Sequence, residues 1–183
     1  PSPKINYEKK LPAANYFELI LVLMLFSVTI RAFVGLALQL PWKKDMTLLI
    51  FLTISVVLGK GLGGLLADRF GWLKTSVTAL AASTLLLAFG KDYPQAAIPG
   101  MILFNMTMPV TLAAVSNLLP GRPGFAFGLT CLALMMGTAV SFMPLRPMFN
   151  VTPLIFITIA VSSLALYTGL RLYSLKLPPS AAN

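Results

Sequence analysis

Six stretches of about twenty residues, each almost free of charge, divide this chain, and nothing else narrows its possible folds so far. They run over residues 17–40, 46–67, 73–89, 95–119, 125–145 and 152–173, the third being short. A helix rising ~1.5 Å per residue needs ~20 residues to cross a hydrocarbon core roughly 30 Å thick. Within that core each segment must satisfy its own backbone polar groups, which long unbroken apolar runs do as helices. Turn-forming segments separate the runs: Leu40-Pro41-Trp42-Lys43-Lys44-Asp45, Asp68-Arg69-Phe70-Gly71, Gly90-Lys91-Asp92-Tyr93-Pro94, Leu119-Pro120-Gly121-Arg122-Pro123-Gly124 and Arg146-Pro147-Met148-Phe149-Asn150. Such short loops leave no room for a second, soluble domain. The expected fold is an all-α integral membrane protein of six transmembrane helices, with residues 1–16 as a polar, basic lead-in and 174–183 as a tail.

Composition agrees and removes several functions. The chain is 57% hydrophobic and 10% charged, with a mean hydropathy of +0.86, so water is not its main solvent. Its net charge of +9 is scattered between the apolar runs, without the dense basic patch or interleaved aromatics of a nucleic-acid surface. With no histidine and a single cysteine, Cys131, there is no material for a His/Cys metal cluster, Cys-His catalysis or an intrachain disulfide. Cys131 reads as a small packing residue, and no cofactor or metal is expected. No intramembrane carboxylate pair or Ser-centred motif is present, and Gly59-Lys60-Gly61 lacks the P-loop pattern, so the chain does not read as an enzyme. The first apolar run is about twice the length of a signal-peptide core and lacks a small-residue exit, which favours a membrane helix.

Lys and Arg positions suggest an orientation. With the N-terminus cytoplasmic, that side carries Lys4, Lys9, Lys10, Arg69, Lys74, Arg122, Arg171 and Lys176, eight cations, against four opposite: Lys43, Lys44, Lys91 and Arg146. Both termini are therefore expected inside, in a plasma or inner membrane. Spans 1 and 4 both end in Leu-Pro, and three helices followed by three more give two triplets of opposite orientation, compatible with an inverted repeat.

The most informative loop runs Gly59-Lys60-Gly61-Leu62-Gly63-Gly64-Leu65-Leu66-Ala67-Asp68-Arg69-Phe70-Gly71-Trp72-Leu73-Lys74. Gly61, Gly63 and Gly64 permit close helix approach, and Gly71 a tight turn. Asp68 is an anion at the C-terminal end of a helix, where the dipole disfavours it, so it should seek a cation or another helix's N-terminus. The segment resembles the loop G-x-x-x-D-R-x-G-R-R between the second and third helices of each half of a major facilitator superfamily transporter. Gly64, Asp68, Arg69 and Gly71 match in spacing, whereas Trp72 and Leu73 replace the basic pair and only Lys74 keeps a charge. The resemblance covers about residues 17–173 and implies one six-helix half with a 3+3 inverted repeat, Asp68 helping to latch it against a partner half. Thr29-Ile30-Arg31-Ala32-Phe33, the join from Leu119 to Leu129, and the absence of an arginine in span 4 are similar to the C-terminal half of drug-efflux members of the fosmidomycin-resistance kind. An antiporter motif in span 5 is only half present: Gly128 and Gly137 keep its first interval, while Pro144 is displaced, so glycine-mediated helix packing is the better reading.

A charge within a span costs at least ~2.5–3.5 kcal/mol on insertion scales and usually faces a cavity or a partner. Arg31 reads as either a substrate or gating contact or half of a structural ion pair. Lys60, about seven residues from the end of span 2, reads as snorkelling or pairing between helices. No acidic residue lies mid-span, Glu18 and Asp68 being near a boundary, so the missing counter-charge comes from another half or from an anionic substrate. The resemblance places the path on spans 1, 2, 4 and 5, where Arg31, Gln39, Lys60, Asn105 and the Pro99 and Pro109 kinks fall, with spans 3 and 6 toward lipid. Asn105 and Asn117 suit polar contacts or bonds to neighbouring helices; Met101, Met106, Met108, Met135, Met136 and Met143 suit an adaptable apolar surface or core packing. The expected function is alternating-access transport of a small molecule, the lead-in 1–16 resembling the end of a linker from a separate N-terminal half; a homodimer is the other way to supply the second six-helix unit. The competing reading is a non-transporting structural or assembly subunit of a membrane complex.

Overall fold

The computed structural model describes residues 14–38, 40–142 and 152–176. All regular structure among them is helical: α1 Ala14–Ala37, a 3-10 turn at Pro41–Lys44, α2 Met46–Phe70, α3 Trp72–Gly90, α4 Pro94–Asn105, α5 Thr107–Leu118, α6 Pro123–Ser141 and α7 Thr152–Lys176. Helices α4 and α5 together make one span, so six helical rods are long and apolar enough to cross a membrane. The chain is a multi-pass integral membrane protein.

Local sequence explains where the rods stop. Asp45 caps α2, its carboxylate accepting from the Thr47 N–H at 3.0 Å. Gly71 ends α2 at a φ of 92°, open to glycine alone at little cost, and donates its N–H to the Ala67 carbonyl at 2.9 Å. Pro94 and Pro123 occupy the first positions of α4 and α6, where a missing N–H costs nothing. Of the two kinks expected in the fourth span, the one at Pro109 interrupts the helix, while Pro99 lies inside α4. Pro109 cannot donate to the Asn105 carbonyl, so the ladder lapses at Met106, whose own N–H is shared between the Ile102 and Leu103 carbonyls. Expected and observed boundaries otherwise differ by a few residues, α6 ending at Ser141 rather than 145.

Packing follows a regular scheme. The first span lies against the fifth and sixth, and the fourth against the second and third, while α3 and α7 pack on each other. Small residues set two close crossings. A Cβ on Gly59 or Gly63 of α2 would meet the Ile102 carbonyl of α4 at 2.4 Å and the Met106 carbonyl at 2.2 Å; one on Gly137 of α6 would meet the Thr29 carbonyl of α1 at 2.2 Å. Gly61 and Gly128 instead face open space, and Gly64 only touches Pro109 at 3.9 Å, so of the expected packing glycines Gly63 and Gly137 serve that role and Gly61 and Gly128 do not. Helices α1 and α7 are clasped by Ser27 and Ser162, both fully buried, each hydroxyl reaching the other's backbone carbonyl, at 3.0 and 3.2 Å.

The two tryptophans mark opposite ends of the bundle, as amphipathic rings do at a membrane–water boundary. At one end Trp42 donates its indole N–H to the Lys91 carbonyl at 3.0 Å, tying two loops together. At the other, Trp72 stacks on Tyr173 with ring centroids 6.0 Å apart.

Candidate functional site

Burial is uneven, and the unevenness locates the site. Rods α2 and α6 are the most open of the six, with outward residues such as Leu65 and Met135 more than 70% exposed. Between them lies a cleft of about 340 Å³, its floor formed by α5 and by Val28 of α1. Lys60 of α2 enters from one side; Phe127, Thr130, Cys131 and Leu134 of α6 form the other; Met108, Pro109, Thr111 and Leu112 line the base. A broader depression elsewhere, with Lys74 at its edge, is lined by α2, α3 and α4.

Arg31 stands directly behind the floor of the cleft. Its side chain folds back along α1, as helical side chains do, and Nε donates to the Ser27 carbonyl at 3.3 Å. One terminal nitrogen donates to the Thr107 hydroxyl and the other to the Thr111 hydroxyl, the latter at 2.9 Å. The guanidinium is only 1% exposed, and every partner is a neutral oxygen. Among the described residues no carboxylate pairs with it, so the alternative of a structural ion pair has no partner there. Both threonine hydroxyls already donate to carbonyls of their own segment: Thr107 to Phe104 at 3.1 Å, Thr111 to Met108 at 2.9 Å. They can accept from Arg31 without depending on it. Thr111 is thus shared, one face binding the guanidinium and the other lining the cleft.

Lys60 lies ten residues, about 15 Å, before the end of α2 at Phe70, whose last turn carries the exposed Asp68 and Arg69. The Lys60 side chain is exposed at the cleft and makes no ion pair or hydrogen bond to any described residue, so the expected pairing between helices is absent there. Asn105 is buried at the α2–α4 crossing and donates back to the Met101 carbonyl at 2.8 Å; it packs beside Gly59 and is not part of the cleft lining. Gln39, Met143 and Pro144 lie outside the described residues.

In the Gly64–Gly71 loop, Asp68 accepts a 3.3 Å hydrogen bond from the indole of Trp72, the first residue of α3. Arg69 places its guanidinium over Phe70, 5.8 Å from the ring centre. Trp72, which departs from the motif, joins Asp68 to Tyr173. The loop of α2–α3 is thereby connected to α7.

Sequence reasoning missed Thr107 and Thr111, although two threonines one turn apart, just past a proline-broken point, are a readable signal for a polar stripe facing inward. Cys131, expected as a small packing residue, is half-buried and lines the cleft. Met108 lines it too, while Met101 and Met106 are core residues and Met135 and Met136 point outward. Compared with protein-family models, with curated proteins and with solved structures, the chain finds no match.

Proposed function

We propose that the chain transports a small molecule by alternating access, as one six-helix half of a major-facilitator-type secondary transporter working against a second six-helix unit. The observation that carries this reading is Arg31. A guanidinium enclosed in an apolar bundle and held only by neutral oxygens is costly, and it gives the fold little that a neutral chain of equal bulk would not. Its presence is accounted for by a role for the charge itself, beside a cleft open between α2 and α6.

The neighbour scheme supports the architecture. Exchanging spans 1–3 with spans 4–6 converts the pairing of span 1 with 5 and 6 into that of span 4 with 2 and 3, as an inverted 3+3 repeat requires. The glycine seams obey the same exchange, Gly59 and Gly63 of span 2 corresponding to Gly137 of span 5. The open α2 and α6 faces, flanking the cleft, are where a second unit fits best. Asp68 and its loop, at the end of α2, would then lie within reach of that unit.

Those faces would equally serve a static assembly subunit, and Arg31 tips the balance toward transport. The test is a solute screen in proteoliposomes containing the chain with its second unit. Uptake or efflux of at least one solute, abolished by Arg31→Met in protein of unchanged fold, is expected. A monomer in mild detergent that associates with no six-helix unit and moves no solute would overturn the reading.

A further inference from the structure

The cleft between α2 and α6 carries information about what it holds, and the transport reading bears only on what happens after binding. Its single charged lining residue is Lys60, which no described residue neutralises. A second cation, Arg31, lies behind the floor and shares Thr111 with the cleft. No carboxylate is among the lining residues, and none of the described Asp or Glu residues lies mid-span. In a poorly hydrated bundle two like charges without a counterion make the cavity strongly positive, because little solvent screens them.

The rest of the lining is apolar or weakly polar. Val28, Met108, Leu112, Phe127 and Leu134 offer hydrocarbon, thioether and aromatic surface, and Thr111 and Thr130 are the only hydroxyls. Neither hydroxyl proton is free for an occupant in this arrangement: Thr111 donates to the Met108 carbonyl and Thr130 to the Phe127 carbonyl, at 2.9 and 2.7 Å. The lining therefore presents one strong positive donor at one wall and greasy surface elsewhere. A volume of about 340 Å³ sits at the small end of the ~300–1,000 Å³ typical of small-molecule sites, too little for a two-chain lipid.

We infer that this cleft binds a small amphiphilic organic anion, an aromatic or branched aliphatic carboxylate, with its charged end on the Lys60 ammonium and its apolar body against Phe127, Met108 and Leu134. Inorganic anions lack the body and cations face two like charges. Arg31 contributes field through the floor without touching the ligand.

The only cysteine of the chain lines this cleft and reports on it. The full chain, in neutral phosphatidylcholine nanodiscs, is labelled at Cys131 with N-ethylmaleimide in the presence of 1-naphthoate, 1-naphthamide or 1-naphthylmethylammonium. Naphthoate is expected to slow labelling at least fivefold, the isosteric amide less than twofold and the cation not at all. Lys60→Gln should make acid and amide equivalent, and Lys60→Arg should restore the preference for acid. Scintillation proximity binding of tritiated 1-naphthoate reads the same differences without relying on the thiol. Equal protection by acid and amide in the wild-type chain, or no naphthoate binding in either assay, overturns the inference. So does displacement of naphthoate by phosphatidylglycerol in the disc, which would give the site to a lipid headgroup. Loss of a dimer in Lys60→Gln without carboxylate binding would assign Lys60 to a partner's side chain and likewise overturn it. Selective binding without flux in proteoliposomes would leave this inference standing and remove the transport reading; flux without anion preference would do the reverse.

Discussion

Among the described residues two cations, Arg31 and Lys60, lie away from the helix ends, in opposite kinds of place. Around Arg31 the crossing of α1 and α5 is closed: the guanidinium is enclosed and three oxygens meet it. Around Lys60 the gap between α2 and α6 is open, and nothing described meets the ammonium. Helix α2 shows the contrast within a single turn, because Gly59 and Gly63 press on α4 while Lys60 and Gly61 look outward. Glycine content and hydropathy are alike on both sides of that rod. What separates a sealed seam from an open cleft is whether a neighbouring backbone arrives at each position.

The largest effect expected from this contrast concerns Arg31. Since Thr107 and Thr111 keep their own hydrogen bonds when the guanidinium goes, Arg31→Met should leave unfolding stability within about 1 kcal/mol of wild type while solute flux stops. Denaturant titration in mixed micelles alongside proteoliposome flux checks both halves; a collapse of stability with flux lost in proportion would make Arg31 structural. Next comes the glycine pair. A methyl on Gly63 runs into the Met106 carbonyl, so Gly63→Ala should cost about 3 kcal/mol, whereas Gly61→Ala should be neutral or slightly stabilising. Comparable losses at the two sites in the same titration would mean that α2 has no open face.

Lys60→Leu addresses the open side from the other direction. Removing an unpaired ammonium from mid-helix should raise stability by ~1 kcal/mol, read as a higher thermal midpoint in detergent, since no partner is lost. A fall would reveal that the ammonium is neutralised in the intact assembly. The smallest effect belongs to the Ser27–Ser162 clasp. A double-mutant cycle with alanine at each position should return a coupling of about 0.6 kcal/mol, the usual worth of a hydrogen bond between membrane helices. Zero coupling would show that α1 and α7 are held by packing alone.

How much of this was legible beforehand differs between the fold and the site. The six rods were, because unbroken runs from residue 17 to residue 173 admit few other structures, and the punctuation at Asp45, Gly71, Pro94 and Pro123 names most of the ends. The faces were not. Helix α2 is apolar all round, so no period of hydrophobicity distinguishes the side bearing Gly63 from the side bearing Gly61, and the sequence reading gave both the same role. Arg31 and Lys60 stood out by their cost in a membrane, but their surroundings depend on helices far along the chain. Thr107 and Thr111, one turn apart on α5, meet Arg31 only through the packing of the first span on the fourth, and a threonine in a membrane span is otherwise too common to attract notice. Trp72 was counted as a departure from a motif; in the fold it is the residue that links Asp68 to Tyr173.

The break in the fourth span has a further consequence for how the sequence can change. Pro109 leaves the Asn105 carbonyl without its ladder donor at a depth where lipid supplies none, and the surface that α2 lays over that stretch is made of glycine: Gly59 beside Asn105, Gly63 against Met106, Gly64 touching Pro109. The proline and the three glycines, some forty-five residues apart in the chain, therefore form one packing unit. An alanine at position 109 would straighten the rod and withdraw the reason for a smooth α2, so its effect should differ in a Gly63→Ala background from its effect alone. A bulkier α2 with Pro109 retained would hold the two helices apart and expose the Asn105 carbonyl, which lacks its ladder donor, to a medium with none to offer.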